Sequence, residues 1–349
     1  MMLTLRETSV TALPHHHPPL AVDSAATIGS LAPMTPDDTR IAEPDHGGGI
    51  DAAAARWGGT SADWLDLSTG INPRPYPLPP LPADAWTALP DRNAFAALET
   101  AARRFWAVPD AAALIAAPGA SALIARIPAL LPPGCIAIPT PTYNEHARAF
   151  RAAGWTVTDN ATEATVLVHP NNPDGRLHSA PTTPFAIIDE SFCDTLPDAT
   201  HIGQSTRPGT LILKSFGKFW GLAGARLGFA MGDPELIARL KPMIGPWAVP
   251  GPTLAIATAA LNDDAWARQT RARLTQDANR LDSLIAKAGA TPLGGTTLFR
   301  LYDTEDAAAW QDRLARHRIL TRIFPYSTRW LRLGLPDGDG WTRLEHALT

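Results

Sequence analysis

A chain of 349 residues with 45% apolar and 18% charged side chains has the make-up of an ordinary globular protein, long enough for two domains or one large domain with a smaller lobe. The formal net charge of −4, with no basic stripe beside it, argues against a nucleic-acid partner. No apolar run approaches the ~20 residues needed to span a bilayer.

Residues 1 to about 44 are rich in Pro, Ala, Ser, Thr and His without helical or strand period, and are expected to form a disordered or loosely packed extension. His15, His16 and His17 lack the closed ligand set of a metal site, and no metal is expected. The first residues also lack the continuous apolar stretch of a secretory signal, so the expected location is the cytoplasm. Cys135 and Cys193 each lie beside an apolar run, which predicts buried free thiols rather than a disulfide.

From residue 110 to 231 short apolar runs alternate with helix-like stretches: LIAA at 114, CIAI at 135, TVLV at 165, FAII at 185, TLIL at 210 and LGFAM at 227. Between two of them TYNEHARAFRAAG has helical spacing and closes on Gly154. The alternation predicts an α/β domain with a mostly parallel central sheet flanked by helices. Beyond it, PELIARLKPMIGPW reads as a short helix ended by Pro246, and NDDAWARQTRARLTQDANRLDSLIAKAG as a long amphipathic helix closed by Gly289. TLFRLY, AAAWQDRLARH, WLRLGLP and WTRLEHAL then suggest a smaller C-terminal α+β lobe.

Ligands of open α/β sheets bind at the carboxyl ends of the strands, so the residues just beyond each run are the candidates for chemistry. After LIAA, Pro118-Gly119-Ala120-Ser121 opens a helix and presents N–H groups and a hydroxyl to an anion, although an ordinary N-cap serine explains it as well. After CIAI comes Tyr143, either a stacking platform or a core aromatic. TVLV leads into HPNNPDG, a tight turn in which the Asn172-Pro173 bond is a candidate cis peptide and the Asn172 amide a candidate ligand donor. FAII runs into Asp189, an acid so placed that it needs a cationic or donor partner.

TLIL gives Lys214, Ser215 and Lys218, with Arg226 eight residues further on. Only four of the 30 basic residues are lysines (Lys214, Lys218, Lys241 and Lys287), so an amine that must lose its proton has few candidates. Ser215 and Arg226 suit a phosphate, and Lys218 between them suits a carbonyl. Together these residues are what one phosphorylated heteroaromatic aldehyde requires: a lysine for its Schiff base, an acid for its ring nitrogen, an aromatic for its ring face and donors for its phosphate.

The segment SFGKFWGLAGARLG resembles the lysine site of the class I/II, fold type I, pyridoxal-phosphate aminotransferase family, and HPNNPDG is similar to its N-P-N-N-P-T-G turn. The resemblance spans roughly residues 46 to 349. It implies that Lys218 carries pyridoxal 5′-phosphate as a Schiff base, that Asp189 keeps the pyridine nitrogen protonated, and that Asn172 bonds the ring 3-oxygen. It further implies that Tyr143 stacks on the ring and that Ala120, Ser121, Ser215 and Arg226 hold the phosphate. Arg332 lies where the family places its arginine for the substrate carboxylate. Arg322 resembles the position that contacts a substrate phosphate or carboxylate in the histidinol-phosphate branch, and it is not ranked against His46 or Tyr76 as the phosphate contact. Gly70 and Ile71 join the substrate-binding set.

Two departures stand out: Phe192 replaces a tyrosine that bonds the 3-oxygen, and Leu89 replaces one that reaches the neighbouring subunit's phosphate. The stretches HGGGIDAAAARWG and DLSTGINPRPYP resemble the cobalamin-pathway threonine-phosphate decarboxylases. This branch implies conversion of O-phospho-L-threonine to (R)-1-amino-2-propanol phosphate and carbon dioxide. A histidinol-phosphate-type aminotransferase shares nearly every residue named. A non-catalytic regulator is disfavoured because the N-terminal extension is too short and proline-rich for a helix-turn-helix domain. A homodimer is expected from the resemblance. The expected division is an N-terminal arm over 45–84 joining the small lobe, a large domain over 85–250 and a small domain over 251–349. Small residues Gly221, Ala223, Gly224 and Ala225 are read as room for backbone to approach the cofactor.

Overall fold

Apolar runs that must bury side chains on both faces become the inner strands of a sheet, which is how the runs between residues 113 and 232 fold. The computed structural model describes residues 46–349; the extension expected over residues 1–44, with its three histidines, lies outside the described residues. After helix α1 (Ile50–Trp57), short strand β1 (Leu65–Asp66), α2 (Asp84–Thr87) and α3 (Arg92–Trp106), the chain enters β2 (Ala113–Ala117). Next come α4 (Ala120–Ile124), β3 (Cys135–Ala137), α5 (Asn144–Ala152), β4 (Thr156–Thr158), β5 (Ala164–Val168), β6 (Phe185–Asp189), β7 (Thr210–Ser215) and β8 (Gly228–Gly232).

These last seven strands form one sheet in the order β2-β8-β7-β6-β5-β3-β4. All its pairings are parallel except those of β8, which runs antiparallel to both neighbours. The mostly parallel sheet is as expected; the edge strand β4 has too few apolar residues to announce itself. Successive residues serve opposite faces. Ile187 and Leu213 pack with Leu123 and Phe150, whereas Ile188 and Ile212 pack with Phe216, Phe229 and Leu254.

Helices α6 (Pro234–Ile244), α7 (Gly251–Leu261) and α8 (Asp264–Lys287) lead to β9 (Thr291–Thr296), β10 (Phe299–Asp303), α9 (Ala307–Ala315), β11 (Ile319–Leu320), β12 (Arg322–Phe324), β13 (Ser327–Gly334) and α10 (Asp339–Leu348). A four-stranded antiparallel sheet, β12-β13-β10-β9, forms the smaller lobe, and β1 pairs with β11 in parallel. Helix α6 contains Pro242 and ends at Ile244, just before Pro246, where Gly245 turns the chain out of the helix at φ +81°, a positive value that glycine adopts without strain. Cys193 is buried as expected, but Cys135 is exposed: it opens β3 at the surface, just after Pro132-Pro133-Gly134, and burial begins only at Ile136. Among the described residues no helix is long and apolar enough to cross a membrane.

One of the two lysines on the β7 segment belongs to the framework. Lys214 is buried with its Nζ 2.7 Å from Glu190 and 3.7 Å from Asp194, whose carboxylate also accepts from Trp106 Nε1 at 2.7 Å. Burial opposes the ammonium charge, but the two carboxylates outweigh it and hold Lys214 above the usual lysine range. Replacing Lys214 with Met leaves both carboxylates buried and uncompensated. Urea denaturation is expected to show a loss of about 3–5 kcal/mol.

Candidate active site

Two cavities meet at the carboxyl edge of the large sheet. The first, of about 120 Å³, is lined by Ala120, Ser121, Tyr143, Asn172, Asp189, Ser215, Lys218 and Arg226, all eight residues that the resemblance assigns to the cofactor. The second, of about 160 Å³, is lined by Gly70, His46, Arg322 and Arg332. Tyr143, Asn172, Phe192 and Lys218 face both. Ile71, expected among the substrate contacts, lines neither.

Local chain geometry makes one end of the first cavity a cradle of donors. Gly119 turns from β2 into α4 at φ +88°, and a Cβ there would lie 2.8 Å from Arg226 Nη2. A Cβ on Gly228 would lie 2.3 Å from the Ala120 nitrogen. Both positions therefore require glycine. Arg226 itself sits at φ +50°, a left-handed conformation that turns the chain from the Lys218 segment into β8. Ala120, Ser121, Ser215 and Arg226 thus line the same cavity, and a main-chain N–H, two hydroxyls and a guanidinium are the donor types that an anion takes.

At the other end Asp189 closes β6. Burial alone would raise its pKa, but His146 and two Ser191 donors outweigh that and hold the carboxyl below the usual range. His146 Nε2 lies 2.8 Å from Oδ2, while the Ser191 N–H and hydroxyl donate to Oδ1 at 3.0 and 2.5 Å. The sequence demands a partner for this acid but does not point to His146 directly. A signal existed: on α5, His146 shares the buried face with Phe150, four residues on, an unusual place for an imidazole without a task.

Lys218 lies between the two cavities. Burial, reinforced by the Arg332 charge and only partly offset by Asp189, pushes its amine down to about 8. Its Nζ stands 5.5 Å from the Phe192 ring centroid. Phe192, which has no hydroxyl to bond a ligand, packs edge-on against Phe299 at 4.9 Å. Gly70 fits beneath this pair, since a Cβ there would come within 2.7 Å of the Phe299 ring. HPNNPDG forms the expected turn, with Asn172-Pro173 cis.

Cationic charge faces the second cavity from two neighbouring strands. Arg322 on β12 and Arg332 on β13 are cross-strand partners. Arg332 is pushed down to about 10, chiefly by burial and then by the Arg322 charge. Its Nη1 donates to Asn172 Oδ1 and its Nη2 to the Ser68 carbonyl at 2.6 Å, while its buried Nε has no partner among the described residues. His46 also faces this cavity, bonded to Glu145 at 3.0 Å.

Tyr76, an equal candidate for the substrate phosphate on sequence, is not at the site: its ring packs against Trp220 and Trp266 at 6.0 and 5.2 Å in the core. Leu89 is 68% exposed and lines a separate groove with Ala85, Leu254 and Thr258. Of the small residues after Lys218 only Ala223 lines the first cavity. Gly221 instead gives room to the N-terminal segment, since a Cβ there would lie 2.7 Å from both the Asn72 carbonyl oxygen and Pro75 Cα.

A sequence profile described as Aminotransferase class I and II matches residues 81–169 and 183–345. The threonine-phosphate decarboxylase of Pseudomonas aeruginosa is 40% identical over 87% of this chain and 97% of its own length. A protein of the same name from Sinorhizobium sp is 41% identical over the same shares. Among solved structures, histidinol-phosphate aminotransferase from Sinorhizobium meliloti, in complex with pyridoxal-5′-phosphate, matches with a TM-score of 0.72 at 19% identity, covering 92% of this chain and 98% of that one. At that identity the likeness is one of fold.

Proposed function

The chain belongs to the aminotransferase class I and II family, and from that premise we propose that it decarboxylates O-phospho-L-threonine to (R)-1-amino-2-propanol phosphate in cobalamin biosynthesis, using pyridoxal 5′-phosphate. The first cavity fits that cofactor on its own chemistry. Donors converge where Gly119 and Gly228 leave no room for a side chain, an acid stands at the far end, and a poorly solvated amine lies between.

Bound there, pyridoxal phosphate supplies an aldehyde carbon for amines and a conjugated ring that takes up the electron pair of the bond broken at the substrate α-carbon. The remaining work belongs to the chain. The Ala120 N–H, Ser121, Ser215 and Arg226 bind the phosphate. Asp189, kept ionised by His146 and Ser191, holds a proton on the ring nitrogen. Asn172 has its carbonyl oxygen taken by Arg332, so its NH₂ is the end left for the ring 3-oxygen. Tyr143 covers the ring face. Lys218, whose burial favours the neutral amine, would attach the cofactor; having taken a proton from the substrate ammonium, it or a water would supply the proton that replaces carbon dioxide on the α-carbon.

The observation that carries the substrate is the Arg322 and Arg332 pair facing one cavity from adjacent strands. Like charges directly opposite each other repel. Both side chains line the one cavity, so a ligand that carries a carboxylate and a phosphate can set one anionic group against each. In this reading Arg332 with its unmet Nε takes the carboxylate, and Arg322 with His46 takes the phosphate.

Adding phosphothreonine to the holoenzyme is expected to release carbon dioxide with no keto acid present. Formation of a ketone and pyridoxamine phosphate instead would make the protein an aminotransferase of the histidinol-phosphate type. The protein acts as a cytoplasmic homodimer in this proposal; for the dimer, the large apolar side chains of Leu78, Trp86, Leu89 and Trp247 are exposed and free for a partner to cover.

A further inference from the structure

The turn that bears Lys218 offers three successive main-chain carbonyls, and one short segment of chain takes all three. Asn72 N–H donates to the Lys218 carbonyl at 3.0 Å, Asn72 Nδ2 to Phe219 O at 2.9 Å, and Tyr76 N–H to Trp220 O at 2.9 Å. Gly221 ends this clamp by admitting the 72–75 segment against its backbone. Asn72 supplies two of the three bonds, is 1% exposed, and lines neither cavity.

The rest of the Asn72 side chain faces the smaller lobe. Its Oδ1 accepts from Arg273 Nη2 at 2.7 Å, and Arg273 Nη1 is held by Asp277 one turn along α8 at 3.0 Å. Helix α8 in turn carries Asp282, which grips Arg300 of β10 at 2.8 Å, and β10 pairs with β13 so that Leu301 faces Arg332. A continuous set of bonds and strand pairings therefore runs from the arginine that faces the substrate cavity to the main chain of the lysine, and Asn72 is its joint.

We propose that Asn72 and Arg273 are positioning residues for Lys218, tying its main chain to α8 so that amine and substrate-binding strands keep one spacing. This rests on Lys218 being the cofactor lysine. Neither residue touches cofactor or substrate. They act by limiting where the amine stands, and small displacements of reacting groups carry large rate costs.

The test uses the holoenzyme of four variants. Asn72→Leu keeps the volume and removes the side-chain bonds; Arg273→Met removes the link to α8 alone; Arg273→Lys retains a donor; Arg280→Met removes a different bond of α8, the one from Arg280 to Glu345 of α10 at 2.7 Å. The readout is the midpoint pH of the visible-absorbance change of the lysine-bound cofactor, with kcat and KM measured beside it. Asn72→Leu and Arg273→Met are expected to move the midpoint by at least about 0.5 pH unit, the lysine's surroundings having changed. They are also expected to lower kcat by about tenfold while KM stays within about threefold. Arg273→Lys recovers at least half of the shift, and Arg280→Met leaves the midpoint in place.

An unmoved midpoint in Arg273→Met, or an equal movement in Arg280→Met, overturns the proposal; if Asn72→Leu does not fold, Arg273→Met decides. Either failure leaves the cofactor lysine untouched. Lysine-bound absorbance persisting in Lys218→Ala would instead sink the reading beneath it.

Discussion

Replacing Lys218 with Ala is expected to abolish the visible absorbance of the lysine-bound cofactor and to lower kcat by at least about four orders of magnitude, the upper range for a positioned proton-transfer group. No other lysine can take its place. Lys214 is sealed between Glu190 and Asp194, Lys241 lines a groove elsewhere, and Lys287 ends α8. With its amine near 8, Lys218 is neutral roughly a tenth of the time at pH 7, against fewer than one in a thousand for an ordinary lysine. In the cofactor-free protein the same depression has a stability signature. The unfolded chain holds this proton up to about the ordinary lysine value of 10.5, whereas the folded chain releases it near 8, so stability rises with pH across that window. Lys218→Ala removes the rise, which urea titrations at pH 7 and pH 10 will register.

Asp189→Asn is the second large effect. The amide keeps the shape but cannot hold a charge beside the ring nitrogen, and removal of one preorganised electrostatic partner costs about 10²–10³ in kcat. The expected loss is of that size with KM little changed, measured on phosphothreonine under saturating cofactor. The wild-type carboxyl, held below its ordinary 3.8, contributes stability that is fully present above that value and lost as acid brings the pH down through the folded pKa. Asp189→Asn is therefore expected to flatten the acid limb of the stability profile. A variant retaining more than half of the parent kcat would remove Asp189 from the proposed mechanism.

Residues that end a buried strand were legible in the sequence because position in a parallel sheet follows from an apolar run, and the edge where ligands bind follows from the strand's direction. Asp189, Ser215 and Lys218 stand at or just beyond such strand ends, and all three line the first cavity. Groups that act across long chain separations were not legible. The Asn72 to Arg273 bond joins residues 201 apart, and the His146 to Asp189 bond joins residues 43 apart. No local pattern announces either. Tyr76 misled because composition near a motif says nothing of which way a ring faces; here two tryptophans claim it. Gly221 misled differently, since space beside a functional lysine can serve the protein's own backbone as well as a ligand. Cys135 shows that the first residue of a buried strand need not share its burial.

The arginines facing each other across β12 and β13 also bear on how turnover ends. Loss of carbon dioxide strips the bound molecule of one of its two negative groups while the other stays. With the carboxylate on Arg332, as proposed, decarboxylation leaves that arginine again a buried cation without an anion, and a charge-assisted bond of about 1.5–3 kcal/mol is gone. On that assignment the amine occupies a pocket that holds it less tightly than it held the amino acid, and departure of the product would follow from the loss of that one contact.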